Sequence, residues 1–505
     1  MGIFGRKRPP GRPHPRPEPM FDVPLSAAAL KDAFQSCVDF TTRELRLAGD
    51  PARVVTLCAV DGMVRSERVN DYILRPLAQD EALRKADLEG CFRLLASGAL
   101  YNLSVSEVKS TDEAVFALME GSVVLWFEGL NRALKCGVAT EEKRSIGDPE
   151  DEPAAKAGKD SFVEGVRTNT SLVRRRLRSA HLRIEEQVVG RQTRTPVDVI
   201  YLEGIARPEI VAEVKKRLEE MDIDGVINAG HVEQYLCDRL VTPFPQLLAT
   251  QRPDRFSANL LAGRVGLIVD GLPLGFLLPG TVGLFLAAEQ DRTDNWMVSR
   301  ALTVLCYAAM FLSLFLPAVY VSAVLFHSEM IPLALAEAII RAKAEVPFGT
   351  VFEAVMLLLA FEVIQEAGLR LPGNLGQTVS ILGGLVVGSA AVEAKIISPA
   401  VLIVVAVAGV AGYTIPSQDF AGGMRLWRLG LTLAAGLGGL LGVTLMAAVL
   451  VGHLAGLESF GVAYLAPFAA QPGAQVEGHS LFRVPLPWVK LRPAAFEGKN
   501  RRNQR

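Results

Sequence analysis

The apolar positions of this 505-residue chain change rhythm near residue 300. Before that point they recur with short strand and helix periods. After it they merge into long uncharged runs. Val54–Val60 (VVTLCAV) is an apolar, β-branched run closed by Asp61-Gly62, the pattern of a strand and tight turn. Arg65–Leu77 then sets Val69, Ile73 and Leu77 at helical spacing, and Ser122–Phe127 (SVVLWF) before Glu128-Gly129 predicts a further strand. The same rhythm returns with a strand over Val197–Leu202, a turn at Glu203-Gly204 and an amphipathic helix over Pro208–Met221. Val265–Val269, Asp270-Gly271 and Leu274–Leu278 read as a β-hairpin, because Asp-Gly supplies the positive φ angles of a tight turn. The repetition predicts two related α/β units.

Beyond Arg300 four runs carry no charge: Ala301–Phe326, Leu375–Val392, Ile396–Pro416 and Leu429–Gly452. A bilayer core of ~30 Å needs about 20 apolar residues in a helix, so four spans are expected. Val351–Gly368 is also apolar in bulk but carries Glu353, Glu362 and Glu366 between Pro347 and Pro372. It fits a fifth span, a re-entrant hairpin or an interfacial helix. The stretch after Trp488 holds Lys490, Arg492, Lys499, Arg501, Arg502 and Arg505 against Glu497, which places that end in the cytoplasm by the positive-inside rule. The soluble block has no export signal and belongs on the same side. An even number of spans follows, which favours four, a non-crossing 351–368 segment, and Arg425 and Arg428 just outside the bilayer.

The resulting fold class is an α+β cytoplasmic region of two α/β subdomains followed by an all-α polytopic membrane domain. The expected divisions are a basic, proline-rich disordered tail over 1–20, a first subdomain over 21–145 and an acidic linker over 146–160. A second subdomain over 161–295, a transmembrane helical domain over 296–455 and a cytoplasmic tail over 456–505 complete the chain. With 53 basic and 54 acidic residues the net charge is −1, so no global field attracts nucleic acid. The six cysteines stand singly without metal-ligand or disulfide spacing and are expected to be free buried thiols.

No HExxH, GxSxG or Walker A sequence is present, nor a GxGxxG following a strand. Catalytic residues, metal and cofactor are therefore all expected to be none, and an enzyme is the least favoured class. Glu362 and Glu366, i and i+4 on a helix, put two carboxylates on one face beside Gln365. Such a patch either faces an interior path for cations, with Glu353 as a further member, or faces interfacial water. Small residues four apart allow close helix packing: Ser380, Gly384 and Gly388 in the second run, Ala408 and Gly412 in the third, and Ala434, Gly438 and Gly442 in the fourth. His327 and Glu329 form a minor juxtamembrane pair, and the Arg174–Arg178 run (RRRLR) reads as a solvated helical face.

Several long blocks carry a family resemblance: FVEGVRTNTSLVRRRL (162–177), DVIYLEGIA (198–206), TPFPQLLATQRPDRFSANLLAGRVGLIVDG (242–271) and EVPFGTVFEAVMLLLAFEVIQEAGLRLP (345–372). With GQTVSILGGLVVGSAAVEAKIISPAVLIVVA (376–406) and FGVAYLAP (460–467), they resemble the A subunit of the GerA-type spore germinant receptors. The resemblance implies an integral protein of the spore inner membrane with both termini on the core side. It implies B and C subunits as partners, contact with membrane lipid, and a small nutrient sensed by the complex. Self-oligomerisation into a ligand-gated cation channel is implied as well. The stage V sporulation AF-type proteins share this architecture, although DGMVRSERVNDYILRPL (61–77) looks more like the receptor subunits. A secondary transporter and a pore-less membrane scaffold are the alternatives from other classes.

Overall fold

The computed structural model describes residues 21–466 apart from 22, 52, 100–103, 139–151, 153–155, 289, 291–294 and 371–387. The N-terminal tail, most of the acidic linker, most of the 375–392 run, Ser380, Gly384 and the chain beyond 466 lie outside the described residues.

Strands β1 (Phe40–Arg46), β2 (Val54–Val60), β3 (Val105–Val108), β4 (Ser122–Phe127) and β5 (Arg132–Gly137) form an antiparallel sheet in the order β1-β2-β4-β5-β3. Strands β6 (Leu182–Val189), β7 (Thr195–Leu202), β8 (Leu248–Thr250), β9 (Val265–Val269) and β10 (Gly275–Leu278) form a second in the order β6-β7-β9-β10-β8. The two orders are the same, so the repeated rhythm of the sequence is a repeated topology. Strands β2, β4 and β9 lie inside their sheets and are apolar on both faces, which is why they read as unbroken runs. The edge strands β1 (FTTRELR) and β6 (LRIEEQVV) have half-wet polar patterns.

Helices α1 (Ala27–Ala33) and α2 (Thr111–Met119) belong to the first unit. The second unit carries α3 (Val166–Arg176), α4 (Pro208–Glu219), α5 (Ala229–Leu236) and α6 (Pro253–Leu261). The units are joined through the basic run. Arg174 is 1% exposed and its guanidinium grips Asp39 of the first unit, with Nη2 to Oδ1 at 2.7 Å. The Val38 amide also donates to the Ile184 carbonyl at 2.9 Å. The expectation of a solvated face for this run is corrected: one arginine is an internal clamp, and Arg176 pairs with Asp160. The end of the linker docks too, through Glu152 to Arg255 at 2.6 Å and the Gly158 amide to Asp254 at 3.2 Å. None of the six cysteines is in a disulfide, five are buried and Cys237 is half-buried, and burial pushes the Cys58 and Cys136 thiols up to about 12.

The remaining helices are α7 (Trp296–Phe326), α8 (Leu333–Lys343), α9 (Thr350–Arg370), α10 (Pro399–Gly412) and α11 (Gln418–Ala455). Two of them, α7 and α11, are long and apolar enough by length and composition to cross a membrane. Contacts along α7 fix the directions of its neighbours. Cys306 meets the Thr414 carbonyl, Ser313 meets Gly412 and Arg428, and Phe326 at the far end meets Gly439. Helix α10 therefore runs back toward the sheets. Helix α9 does the same, from Val351 against Gly436 to Glu362 against Arg428. Segment 351–368, expected to stay clear of the spanning set, is one 21-residue helix packed lengthwise against α7, α10 and α11.

The last uncharged run is not one straight helix. Gly439 takes φ +58° and ψ −142°, and beyond it the chain doubles back. A Cβ on Gly442 would lie 2.1 Å from the Ala434 carbonyl oxygen, and one on Gly430 would lie 2.9 Å from the end of Met446. The Trp427 and His453 rings are 5.7 Å apart. In a continuous helix residues 430 and 446 would be separated by about 24 Å. The arms 418–438 and 440–455 form a hairpin of about 31 Å and 24 Å whose tip touches Phe326.

Both ends of this hairpin rest on the second unit. The Phe420 ring lies against Phe244 and Phe285, and the Thr242 hydroxyl meets His453 Nε2 at 2.9 Å. The chain then adds strands β11 (Glu458–Ser459) and β12 (Val462–Ala463) and buries Tyr464 completely. The Val282 amide donates to the Tyr464 carbonyl at 2.9 Å. The tail expected from 456 therefore begins by docking on the second unit, and one apolar core runs from that unit into the helices.

Candidate functional site

Helix α9 brings acid into an apolar bundle. Glu353 and Glu362 are nine residues apart, about two and a half turns, and so serve opposite ends and different neighbours. Glu362 Oε1 accepts from Arg428 Nη2 at 2.7 Å, and Oε2 accepts from Arg425 Nη1 at 3.2 Å. The same Arg425 nitrogen donates to Gln365 Oε1 at 3.1 Å. Arg428 is 3% exposed and also reaches Ser313 Oγ and the Ala408 carbonyl, each at 3.5 Å. One guanidinium thus touches α7, α9 and α10 from α11. Arg425 and Arg428, read from the sequence only as residues just outside the bilayer, are the counter-charges of the acidic helix. Glu366 lies exposed one turn nearer the sheets.

Glu353 sits at the opposite end with no exposed surface. Its Oε2 accepts from the Ser398 amide at 2.9 Å, and its Oε1 is 3.8 Å from Lys343 Nζ. Two acids of α9 are therefore held against cations, one tightly and one at longer range. Stranding the fully buried Glu353 costs roughly 3–5 kcal/mol, whereas the pairs of Glu362, whose side chain is 32% exposed, hold α9 less strongly.

The small residues do different work from one another. Gly388 receives Leu402, and Gly412 lies against Ser313. Gly442 lets the returning arm approach Ala434, while Gly438 looks into open space. The stripe expected along one helix is thus divided between two antiparallel arms. His327 closes the C-terminus of α7, and among the described residues no group of His, Cys, Asp or Glu could hold a metal ion.

A second polar site lies between the two soluble units. A cleft of about 420 Å³ is lined by Asp61, Gly62, Arg65 and Ser66 of the first unit and by Arg167 and Ser171 of the second. Arg167 turns inward to Asp198 at 3.0 Å. Burial pushes the Asp198 carboxyl up to about 7, and the Arg167 charge only partly offsets that rise.

Sequence reasoning missed the arginine partners of Glu362 and the Asp39–Arg174 clamp. A signal existed for the first: Arg425 and Arg428 are spaced i, i+3, as are Glu362 and Gln365, so two matching polar faces were available to pair. For the second there was none, because Asp39 and Arg174 are 135 residues apart in the chain.

Two sheet-bearing units joined to a helical bundle with internal ion pairs, two of whose helices are long and apolar enough to cross a membrane, define the class of membrane-associated proteins. The chain matches the family model described as Bacillus/Clostridium GerA spore germination protein over residues 28–495. It is similar to spore germination protein B1 of Bacillus subtilis (strain 168), 33% identical over 461 residues that cover 90% of this chain and 94% of that protein. Spore germination protein KA of the same organism is 33% identical over 94% of this chain and 87% of its own length. For spore germination protein GerLA of Bacillus cereus the identity is 32% over 93% and 95%. Among solved structures, the N-terminal domain of the A subunit of the Bacillus megaterium spore germinant receptor GerK3 is 30% identical with a TM-score of 0.39. That match covers 50% of this chain and 92% of that one. The chain belongs to the GerA family of spore germination proteins.

Proposed function

We propose that this chain is the A subunit of a nutrient germinant receptor in the spore inner membrane, working with B and C subunits and with further copies of itself as a ligand-gated cation channel. It acts by conformational change and not as an enzyme, with both termini on the core side. Its helical domain over 296–455 is embedded in lipid, and α9 crosses with the others. The reading is supported most by one observation: Glu362 lies among apolar helices and is neutralised by Arg425 and Arg428 of the neighbouring hairpin. Charge at bilayer depth is rare unless paired or facing a water path. In this resting arrangement the acid is occupied. Movement of the hairpin arm away from α9 would release Glu362 and, with Glu366 and Glu353, line a path selective for cations. The second unit rests on the hairpin's two ends at Phe420 and His453, so a rearrangement there reaches the ion pairs through a rigid helix.

The test is release of monovalent cations from spores in which Glu362→Gln and Glu366→Gln are combined. The account expects nutrient-triggered release to fall at least about tenfold with the receptor at its normal level, the size expected when an interaction of ~1.4 kcal/mol or more is lost. Unchanged release would remove these residues from the path.

A further inference from the structure

The far end of the bundle holds a group of polar atoms whose hydrogen-bonding capacity is unused. Glu353 Oε1, Thr350 Oγ1 and Lys343 Nζ are all buried and none has a hydrogen-bond partner. Thr350 and Glu353 are i and i+3 on the first turn of α9, so their oxygens share one face. Lys343 arrives from α8, 3.8 Å from the carboxylate and beyond hydrogen-bonding distance. Buried polar atoms are nearly always satisfied by protein or by a bound group, so Glu353 Oε1 and Thr350 Oγ1, two acceptors without donors on one helix face, mark a place built to hold something.

We propose that Glu353 and Thr350 form a binding site for one monovalent cation at the far mouth of the bundle, and that Lys343 is a tethered counter-cation that occupies it until α8 moves away. A single carboxylate balances a single positive charge, so a divalent ion would remain half uncompensated in a dry site. The donors are a carboxylate and a hydroxyl oxygen, the chemistry of hard cations. An ammonium and a free cation cannot share the position, because like charges this close repel strongly where the dielectric is low. Helix α8 is suited to leave: of its 11 residues only Ile339 is buried, so little apolar contact holds it down. Site and plug together give the cation path a closed state. The proposal rests on the channel reading for its role, while the site itself is tested by binding alone.

The experiment measures binding of radioactive Rb⁺ to the purified full-length chain in detergent, for wild type, Lys343→Met, and Lys343→Met combined with Glu353→Gln. Lys343→Met is expected to bind one Rb⁺ at least tenfold more tightly than wild type, and the added Glu353→Gln to abolish that gain. If Lys343→Met does not give folded protein, Lys343→Gln, which keeps a donor for the carboxylate, takes its place with the same expectation. Equal binding by wild type and the lysine variant, or binding that survives Glu353→Gln, overturns the proposal. Tight, Glu353-dependent binding without cation flux in vesicles would leave the site standing and count against the channel reading instead.

Discussion

Two buried charged groups of the sheet-bearing units are single residues that no sequence pattern announced. Arg174 lies in a run of four arginines whose composition fits a wet helix face. Its burial is matched by Asp39, which comes from the other unit. Asp198 is similarly hidden within a strand that reads as apolar, and its carboxyl is pushed up to about 7 by burial. A group with a raised native pKa contributes stability that is complete below its unfolded value near 4 and is lost as pH rises through 7. Melting temperature of the whole protein should therefore fall between pH 5 and pH 8. Asp198→Asn keeps an acceptor for Arg167 and removes the titration. It should flatten the fall by an amount equivalent to about 2–4 kcal/mol. Glu233, also pushed up to about 7 by burial and then by the charge of Asp419, leaves a residual slope. Identical pH profiles for variant and wild type would show that Asp198 is ionised in the native protein.

Elements were legible where one physical cause dominated. The buried strands β2 and β4 have the bounds their apolar runs predict, and the hairpin of β9 and β10 follows from Asp270-Gly271. Edge strands β1 and β6 were not legible, because β1 is wet on both faces along most of its length and Glu185, Glu186 and Gln187 break the apolar alternation of β6. The fourth uncharged run misled for another reason. Glycines that permit close packing and a glycine that permits a reversal look alike in sequence, and only the structure separates Gly439 from Gly442. The conformation at Gly439 is open to glycine alone, and any side chain there costs roughly 1–3 kcal/mol. A Cβ would also press on Phe326 at 3.0 Å. Cysteines placed by Gly430→Cys and Met446→Cys should therefore form a disulfide within one chain on mild oxidation, detected by peptide mass mapping. Adding Gly439→Ala should lower its yield severalfold. No cross-link in the first protein would mean that α11 is straight.

At the scale of the molecule, the change from sheets to long apolar helices near residue 300 was legible from composition, and so was the pairing of two like units. Hidden from it was how firmly the halves are joined. Residues 457–466 look like the start of a tail, yet Leu457 and Tyr464 are buried in the core shared by the second unit and the helices. Parity arguments gave an even number of passes by leaving α9 out. In the folded chain α9 runs the length of the bundle, and the doubling of α11 restores both ends to the side of the sheets. The candidate site changed in the same way: the acids were legible, whereas the pairing of Glu362 with Arg425 and Arg428 was not. The account as a whole depends on α9 crossing the bilayer with its acids held inside. Gly349 and Ala367 flank that helix at its two ends, and both are exposed. Labelling Gly349→Cys and Ala367→Cys with a membrane-impermeant thiol reagent, in sealed vesicles of known orientation, tests the crossing directly. The account predicts reaction from opposite sides, Ala367→Cys from the side of the soluble units; reaction of both from one side would contradict it.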